Sequence, residues 1–541
     1  MKRRDFLYSL GWSLPSLLLA RNVAADGSGA ISAADFVGQF GATGIAIQRA
    51  IDEAIKRSIP QVRIPALPDG HAYLVKEPIR NDGKLLLGDA SGTLIKKIGI
   101  GSCFISGQLP KSQGIPLTAD LPPGVQQIPR AQFGDLPLAS GSIFILTGES
   151  HCHANTPAHL AEFVVVQAIA GENVSLSAPL QYGYRKADGA KLRPSELCGG
   201  VGYQNLQIEM DASVIPAGAN TRFDNFGIQL DFCQSPQISG IHISNGVAAG
   251  VRLLGCIGAH ISNYSAFDLG SAEDDDTGAS KSGLGGYGYG ISERGLNLGL
   301  IADGVTTDRV RHLYTTGAEW SDVFKYGMPT NSLIRNSVSK NAKEACFDTH
   351  ETGTGVTFQN CRGEGGRRTG FQVRSKSVRI LSCSVKDVAA AGIWTYGANV
   401  HPNAAGDNCQ VVDFHCENTN KGLDASTLAY GANINWNEIG AIFDQGSGNQ
   451  FDNININGCA GPALTVAAEA HGGSYANFTA TNIGQKARMA PFAVVVEQSN
   501  CGTAATISRL RVSASPGLKG LLKVSDANCH PKLMDIGPLT K

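Results

Sequence analysis

Apolar and polar positions alternate with a period of two over many short runs of this chain, and five of the runs read alike. They are residues 290–294 (Gly-Ile-Ser-Glu-Arg), 312–316 (His-Leu-Tyr-Thr-Thr), 346–350 (Cys-Phe-Asp-Thr-His), 370–374 (Gly-Phe-Gln-Val-Arg) and 392–396 (Gly-Ile-Trp-Thr-Tyr). In each, the second and fourth positions are mostly apolar while the third and fifth carry functional groups. Successive side chains of a strand point to opposite faces, so this is the pattern of a strand with one buried face.

The last three runs begin 24 and then 22 residues apart, about one turn of a right-handed parallel β-helix, in which each coil stacks on the one before. Stacked strands lie about 4.8 Å apart, so the outward positions are predicted to form a ladder on one surface. Its members are Tyr314, then Asp348 and His350, then Gln372 and Arg374, then Trp394 and Tyr396, with Arg294 at the matching position two coils before His350.

The same pattern divides the chain. Residues 26–104 are predicted to hold an N-terminal cap and the first coils: Ile47, Ala50, Ile51, Ala54 and Ile55 recur at helical spacing and are followed by short strand-like runs. Residues 105–195 lose the coil rhythm and read as a small antiparallel β insert, with strands near 142–146, 162–166 and 173–176. Residues 196–541 are predicted to form the main coils, interrupted by long excursions near 268–289, 317–331 and 397–408 that would wall a groove. Asn205, Asn245, Asn263, Asn336, Asn360 and Asn418 fall near turns, where asparagine tolerates a left-handed backbone. The 66 glycines among 541 residues suit many tight turns. The fold class expected is all-β.

Residues 1–25 read as a cleaved export signal, with Lys2, Arg3 and Arg4 before an apolar core and a small-residue site at 23–25. The arginine pair followed by Phe6 and Leu7 resembles a twin-arginine signal, which implies the twin-arginine translocation machinery as a partner and a periplasmic or secreted location. No other apolar run approaches the ~20 residues of a membrane helix, so no membrane association is expected after cleavage. With 45 basic against 46 acidic residues, no basic surplus points to nucleic acid. The 13 cysteines are an odd number and sit at strand ends; they read as compact buried apolar residues in preference to disulfides. The acidic run 273–276 offers hard oxygens for Ca²⁺, although a solvated loop is the favoured reading, and His151, His153 and His159 with Cys152 lack the second ligand pair of a zinc site. No cofactor is therefore expected, with Ca²⁺ the one candidate.

Two stretches carry a family resemblance. Asp35-Phe36-Val37-Gly38-Gln39-Phe40-Gly41-Ala42, leading into the helical run 46–56, resembles the opening of the pectate-lyase-like superfamily of β-helix proteins. That resemblance implies the fold and leaves the reaction open, because this fold carries lyases, epimerases, hydrolases, transferases and adhesins. Asp348-Thr349-His350-Glu351 resembles the signature of mannuronan C5-epimerases, enzymes that act on a uronate polymer. It implies His350 as catalytic acid/base, Asp348 beside it as its orienter, and Arg374, one coil onward, as the neutraliser of the sugar carboxylate. Thr349 stands where that family has proline, and Ala345 where it has tyrosine, so Tyr314 or Tyr396 would supply the phenol.

The chemistry suits these residue types. Removing the C5 proton of a uronate builds negative charge on its carboxylate, which a fixed cation stabilises, while histidine or tyrosine carries the proton. Return of the proton to the other face gives an epimer; departure of the 4-linked oxygen cleaves the chain. Trp394 and Tyr396 are expected as sugar-stacking platforms, with Gln372, Arg294 and Glu351 as further substrate contacts. The reading is thus an exported lyase or C5-epimerase on an acidic polysaccharide. The alternatives are a glycoside hydrolase or glycan transferase that pairs Asp348 with Glu344, Glu351, Asp308 or Asp322, and a β-helix that only binds glycan.

Overall fold

The computed structural model describes residues 29–90, 92–152, 158–214, 224–270, 288–318, 324–397, 406–420, 439–467, 470–484, 492–497, 504–513, 515, 517–526 and 529–539. The export signal read at 1–25, the acidic run 273–276, His153 and Asp322 lie outside the described residues. So do residues 271–287, 319–323 and 398–405 of the three expected excursions.

The chain is all-β and winds as a right-handed parallel β-helix with an N-terminal helical cap and a small β insert. A representative coil runs through Leu333–Arg335, a corner at Asn336, Val338–Lys340 and then Phe347–Thr349. The next two repeat it as Thr357–Gln359, Arg362–Glu364, Phe371–Val373 and Arg379–Leu381, Ser384–Lys386, Ile393–Thr395. Register is kept from coil to coil, with Ile334, Phe358 and Ile380 in one inward column and Phe347, Phe371 and Ile393 in another. The rings of Phe347 and Phe371 stack at 4.6 Å.

The corners explain the asparagines. Asn336 and Asn360 adopt φ of 51° and 52°, a conformation few side chains tolerate, and the Asn360 amide donates to Asn336 Oδ1 at 2.7 Å. The cysteines that follow such corners are buried and donate to the preceding coil: Cys361 Sγ to the Ile334 carbonyl at 3.4 Å and Cys383 Sγ to the Phe358 carbonyl at 3.5 Å. Eleven described cysteines are free; Cys529 departs from the expectation and is disulfide-bonded. On the outer face Asp308, Lys340, Glu364, Lys386 and Glu417 stack in register. Opposite charges facing across neighbouring strands favour that register over a slip.

The N-terminal end is closed by helices α1 (Ala34–Phe40) and α2 (Gly44–Lys56). Helix α2 buries Ala46, Ile47, Ala50, Ile51 and Ala54 against the first coils, the face its periodicity predicts. Between strands Phe104–Gly107 and Gly202–Gln204 the chain leaves the coils to form a six-stranded antiparallel sheet. Its longest strands are Ile143–His151 and His159–Ala170. The sheet has its own core around Phe133, Phe144, Leu146, Val164 and Val174, and it docks on the coils where Ile145 and Ala161 meet Phe232, Leu254, Leu296 and Phe324. Among the described residues no helix is long and apolar enough to cross a membrane.

Candidate functional site

Strand register decides which of the predicted residues meet. Ile291 pairs with Tyr314 and Ser292 with Thr315; Asp348 pairs with Gln372, Gln372 with Trp394, and Trp394 with Phe443. The Thr315 hydroxyl donates to Asp348 Oδ2 at 2.6 Å, so Thr315, not Tyr314, stands beside Asp348 in the outward row.

The expected place of Tyr314 is corrected by one residue, which in a strand exchanges the two faces. Tyr314 points inward, is 0% exposed, and donates to Glu293 Oε2 at 2.6 Å. Its phenol is not open to a substrate on the outer face. Ser332 Oγ donates to the same Glu293 oxygen at 2.7 Å, and burial pushes the Glu293 carboxyl up from its ordinary 4.5 to about 7. A carboxyl with a raised folded pKa favours folding while protonated, so stability is expected to fall as pH rises from about 4.5 through about 7. Glu293→Gln should flatten that slope, as checked by denaturation midpoints across this range.

Asp348 is the hub of the outward site and is 0% exposed. Its Oδ1 accepts from Arg374 Nη2 at 2.7 Å and Gln372 Nε2 at 3.0 Å, and its Oδ2 faces His350 Nε2 at 3.4 Å. Burial opposes its charge, but Arg374, His350 and His312 outweigh it and hold the carboxyl well below the usual range. The ladder's adjacency of His350 and Arg374 is present, but the two share the Asp348 carboxylate and Arg374 is buried against it, not open on the flank as expected.

On its other side the His350 ring has Glu351 Oε2 3.5 Å from Nδ1. Glu351 is buried yet held down to about 2, burial being overcome by the bond to His350. Burial and then the Arg374 charge lower the His350 pKa below its ordinary 6.5, against the pull of Asp348. The His350 backbone is fixed, its N–H donating to Thr316 Oγ1 at 2.8 Å. Of these groups His350 alone reaches solvent appreciably, its side chain 22% exposed against 0% for Asp348, 4% for Glu351 and 9% for Arg374.

A second charged cluster adjoins the first; Glu344 was expected as a carboxyl partner of Asp348, and its two arginines, Arg311 and Arg368, were not expected. Glu344 accepts from Arg311 Nε at 2.6 Å and Arg368 Nη1 at 2.8 Å, with His312 Nε2 at 3.6 Å. The Arg368 guanidinium lies 5.3 Å over the Trp394 ring, and burial lowers the His312 pKa to about 4. A signal for the pair existed, since Glu344 and Arg368 are 24 residues apart, the coil spacing itself.

Three further expectations are corrected. Trp394 and Tyr396 are 0% and 3% exposed; they stack on each other at 4.4 Å and pack with Ala391, Ile439, Phe443 and Ala467. They form a small second core and are not open platforms. Gln372 is likewise buried and links the site to Tyr396, whose hydroxyl donates to Gln372 Oε1 at 3.2 Å. Asp308 lies on another face, paired with Arg309 at 2.9 Å, away from Asp348. Arg294 keeps its register place, bonding Ser292 Oγ at 2.8 Å. It lies across Gly317, where an added Cβ would sit 2.1 Å from Arg294 Nη1. Among the described residues no three His, Cys, Asp or Glu side chains converge as metal ligands.

No family model matches this chain. A stretch of 94 residues is 32% identical to a capsule K1-specific depolymerase of Klebsiella phage K64-1; it spans 17% of this chain and only 10% of that protein. Among solved structures, the tailspike protein gp49 from Pseudomonas phage LKA1 is similar with a TM-score of 0.55 at 17% identity, over 89% of this chain and 75% of that one. The tailspike gp61 of Pseudomonas phage phi297 is similar with a TM-score of 0.52 at 14% identity, over 95% and 81%. At these identities the likeness concerns the fold: this chain shares the architecture of those tailspikes along most of its length.

Proposed function

We propose that this protein is a carbohydrate-active enzyme acting on an acidic, uronate-containing polysaccharide by removing the proton next to the sugar carboxylate, as a lyase or a C5-epimerase. What carries the proposal is His350, the partly exposed member of an otherwise buried ionic cluster. Its lowered pKa keeps the imidazole neutral near pH 7 and able to take a proton. Asp348 orients the ring and stabilises the imidazolium once formed. Arg374 is committed to Asp348 and the Thr349 carbonyl through Nη2 and Nε, and its Nη1 has no bond to any described residue. That leaves Nη1 for the carboxylate on which charge develops.

Hydrolysis by paired carboxyls is less well supported. It needs one acid with a raised pKa, whereas Asp348, Glu344 and Glu351 are all held low. The short likeness to a capsule-specific depolymerase supports a polysaccharide as the substrate. Export through the twin-arginine machinery to the periplasm or the medium belongs to the same proposal, and it involves no cofactor.

The test is a panel of uronate and neutral polysaccharides, scored for ultraviolet absorbance, new reducing ends and solvent deuterium incorporated into the polymer. Activity is expected on uronate polymers alone; activity on neutral glycans alone would overturn the proposal. A base must be unprotonated, so the acid limb of kcat/KM should lie below pH 6.5. Glu351 raises the His350 pKa, so Glu351→Gln should move that limb to still lower pH. Movement to higher pH would contradict His350 as the base.

A further inference from the structure

Three thiols occupy one row on successive coils where the insert rejoins the β-helix. Cys198 lies between the last insert strand, Lys191–Pro194, and Gly202–Gln204; Cys233 and Cys256 follow strands Phe226–Asp231 and Ala249–Leu254. Cys198 and Cys233 stand opposite each other in a parallel bridge. The Cys198 N–H donates to the Phe232 carbonyl at 2.8 Å and the Gln234 N–H to the Cys198 carbonyl at 2.9 Å. Parallel neighbours are about 4.8 Å apart, inside the window of about 4.4–6.8 Å between Cα atoms that a disulfide can span.

The two side chains differ in access. Cys233 and Cys256 are 0% and 1% exposed, while Cys198 is half-buried. The neighbouring Cys233 side chain holds the Cys198 thiol below its ordinary range, with the Arg80 guanidinium adding a smaller pull in the same direction. Cys152, the other half-buried thiol, gives the contrast. It donates to the His159 carbonyl at 3.2 Å, and burial pushes it up to about 12, so it is no first attacker; Cys233 is likewise raised and serves only as the resolving partner. An accessible thiol poised beside a buried partner is the arrangement of an attacking and a resolving cysteine.

We propose that Cys198 and Cys233 are a redox pair that closes to a disulfide on exposure to a small-molecule disulfide such as oxidised glutathione. The Cys198 thiolate attacks one glutathione sulfur, forming a mixed disulfide and releasing one glutathione thiolate. Cys233 gives up its proton, attacks Cys198 Sγ and expels the second glutathione. Two protein thiols thereby lose two electrons and two protons, and one glutathione disulfide becomes two glutathione molecules. The new bond ties the return of the insert to the coils and does not depend on the polysaccharide proposal.

The test is to incubate the full chain with oxidised glutathione, quench with acid, alkylate, and map the peptides by mass spectrometry. A Cys198–Cys233 cross-linked peptide is expected while the other buried thiols stay free, with a melting temperature raised by several degrees and reversal by dithiothreitol. Cys198→Ser should abolish the cross-link, and Cys233→Ala should stop at the Cys198–glutathione adduct. If Cys233→Ala does not fold, the wild-type time course serves, with the adduct rising and then giving way to the cross-link. A lasting adduct on the wild-type chain, a Cys233–Cys256 cross-link, or no reaction at Cys198 would overturn the proposal.

Discussion

Asp348→Ala is expected to destabilise the protein by about 3–5 kcal/mol, the usual cost of leaving one partner of a buried ion pair without the other. The substitution strips Arg374 Nη2 and Gln372 Nε2 of their acceptor and takes from the Thr315 hydroxyl the shorter of its two. Arg374 has nowhere to take its charge, being 7% exposed. Chemical denaturation of the two proteins measures the effect. Combining the change with Arg374→Met should recover much of the loss, because removing both charges abolishes the unpaired guanidinium; two losses that simply add would show that the pair is not coupled.

The companion substitution, His350→Ala, should cost less stability than Asp348→Ala and lower turnover by about 10²–10⁴-fold, the range for a general acid/base. Its ring is the exposed edge of the cluster, and the strand is held through the His350 backbone, whose N–H and carbonyl bond Thr316 and Ser375. The split between the two substitutions is the informative result. Asp348 supports the structure and orients the ring, while His350 meets the substrate. Steady-state rates on the best polysaccharide of the panel, set beside melting curves, measure the split.

Much of this was legible in the residues. The period-2 runs, the 24- and 22-residue spacings and the corner asparagines specify a coil with one inward face, and the adjacency of His350 and Arg374 follows from counting along it, though not their sharing of Asp348. The count failed at Tyr314. Phe347 comes 33 residues after Tyr314, because an excursion intervenes, so coil spacing no longer fixes the register there. The run His-Leu-Tyr-Thr-Thr also alternates weakly enough to fit either face. The aromatic column resolves the ambiguity, since Tyr314 joins Phe347 and Phe358 inside. The burial of Trp394 and Tyr396 was illegible for a different reason: exposure of an outward residue depends on what packs over it. Here that cover comes from Ile439 and Phe443, more than forty positions further on. Arg311 and the ion pairs of Glu344 were missed because both residues precede their strands, where alternation carries no information.

The most direct measurement is incubation of the wild-type protein and His350→Ala with uronate polysaccharide in deuterated water, followed by mass and ultraviolet analysis of the sugars. Proton removal by His350 predicts deuterium at C5 of an intact polymer, or unsaturated chain ends that absorb in the ultraviolet, with either signal lost in His350→Ala. New reducing ends that carry neither deuterium nor unsaturation, formed equally well by both proteins, would contradict it.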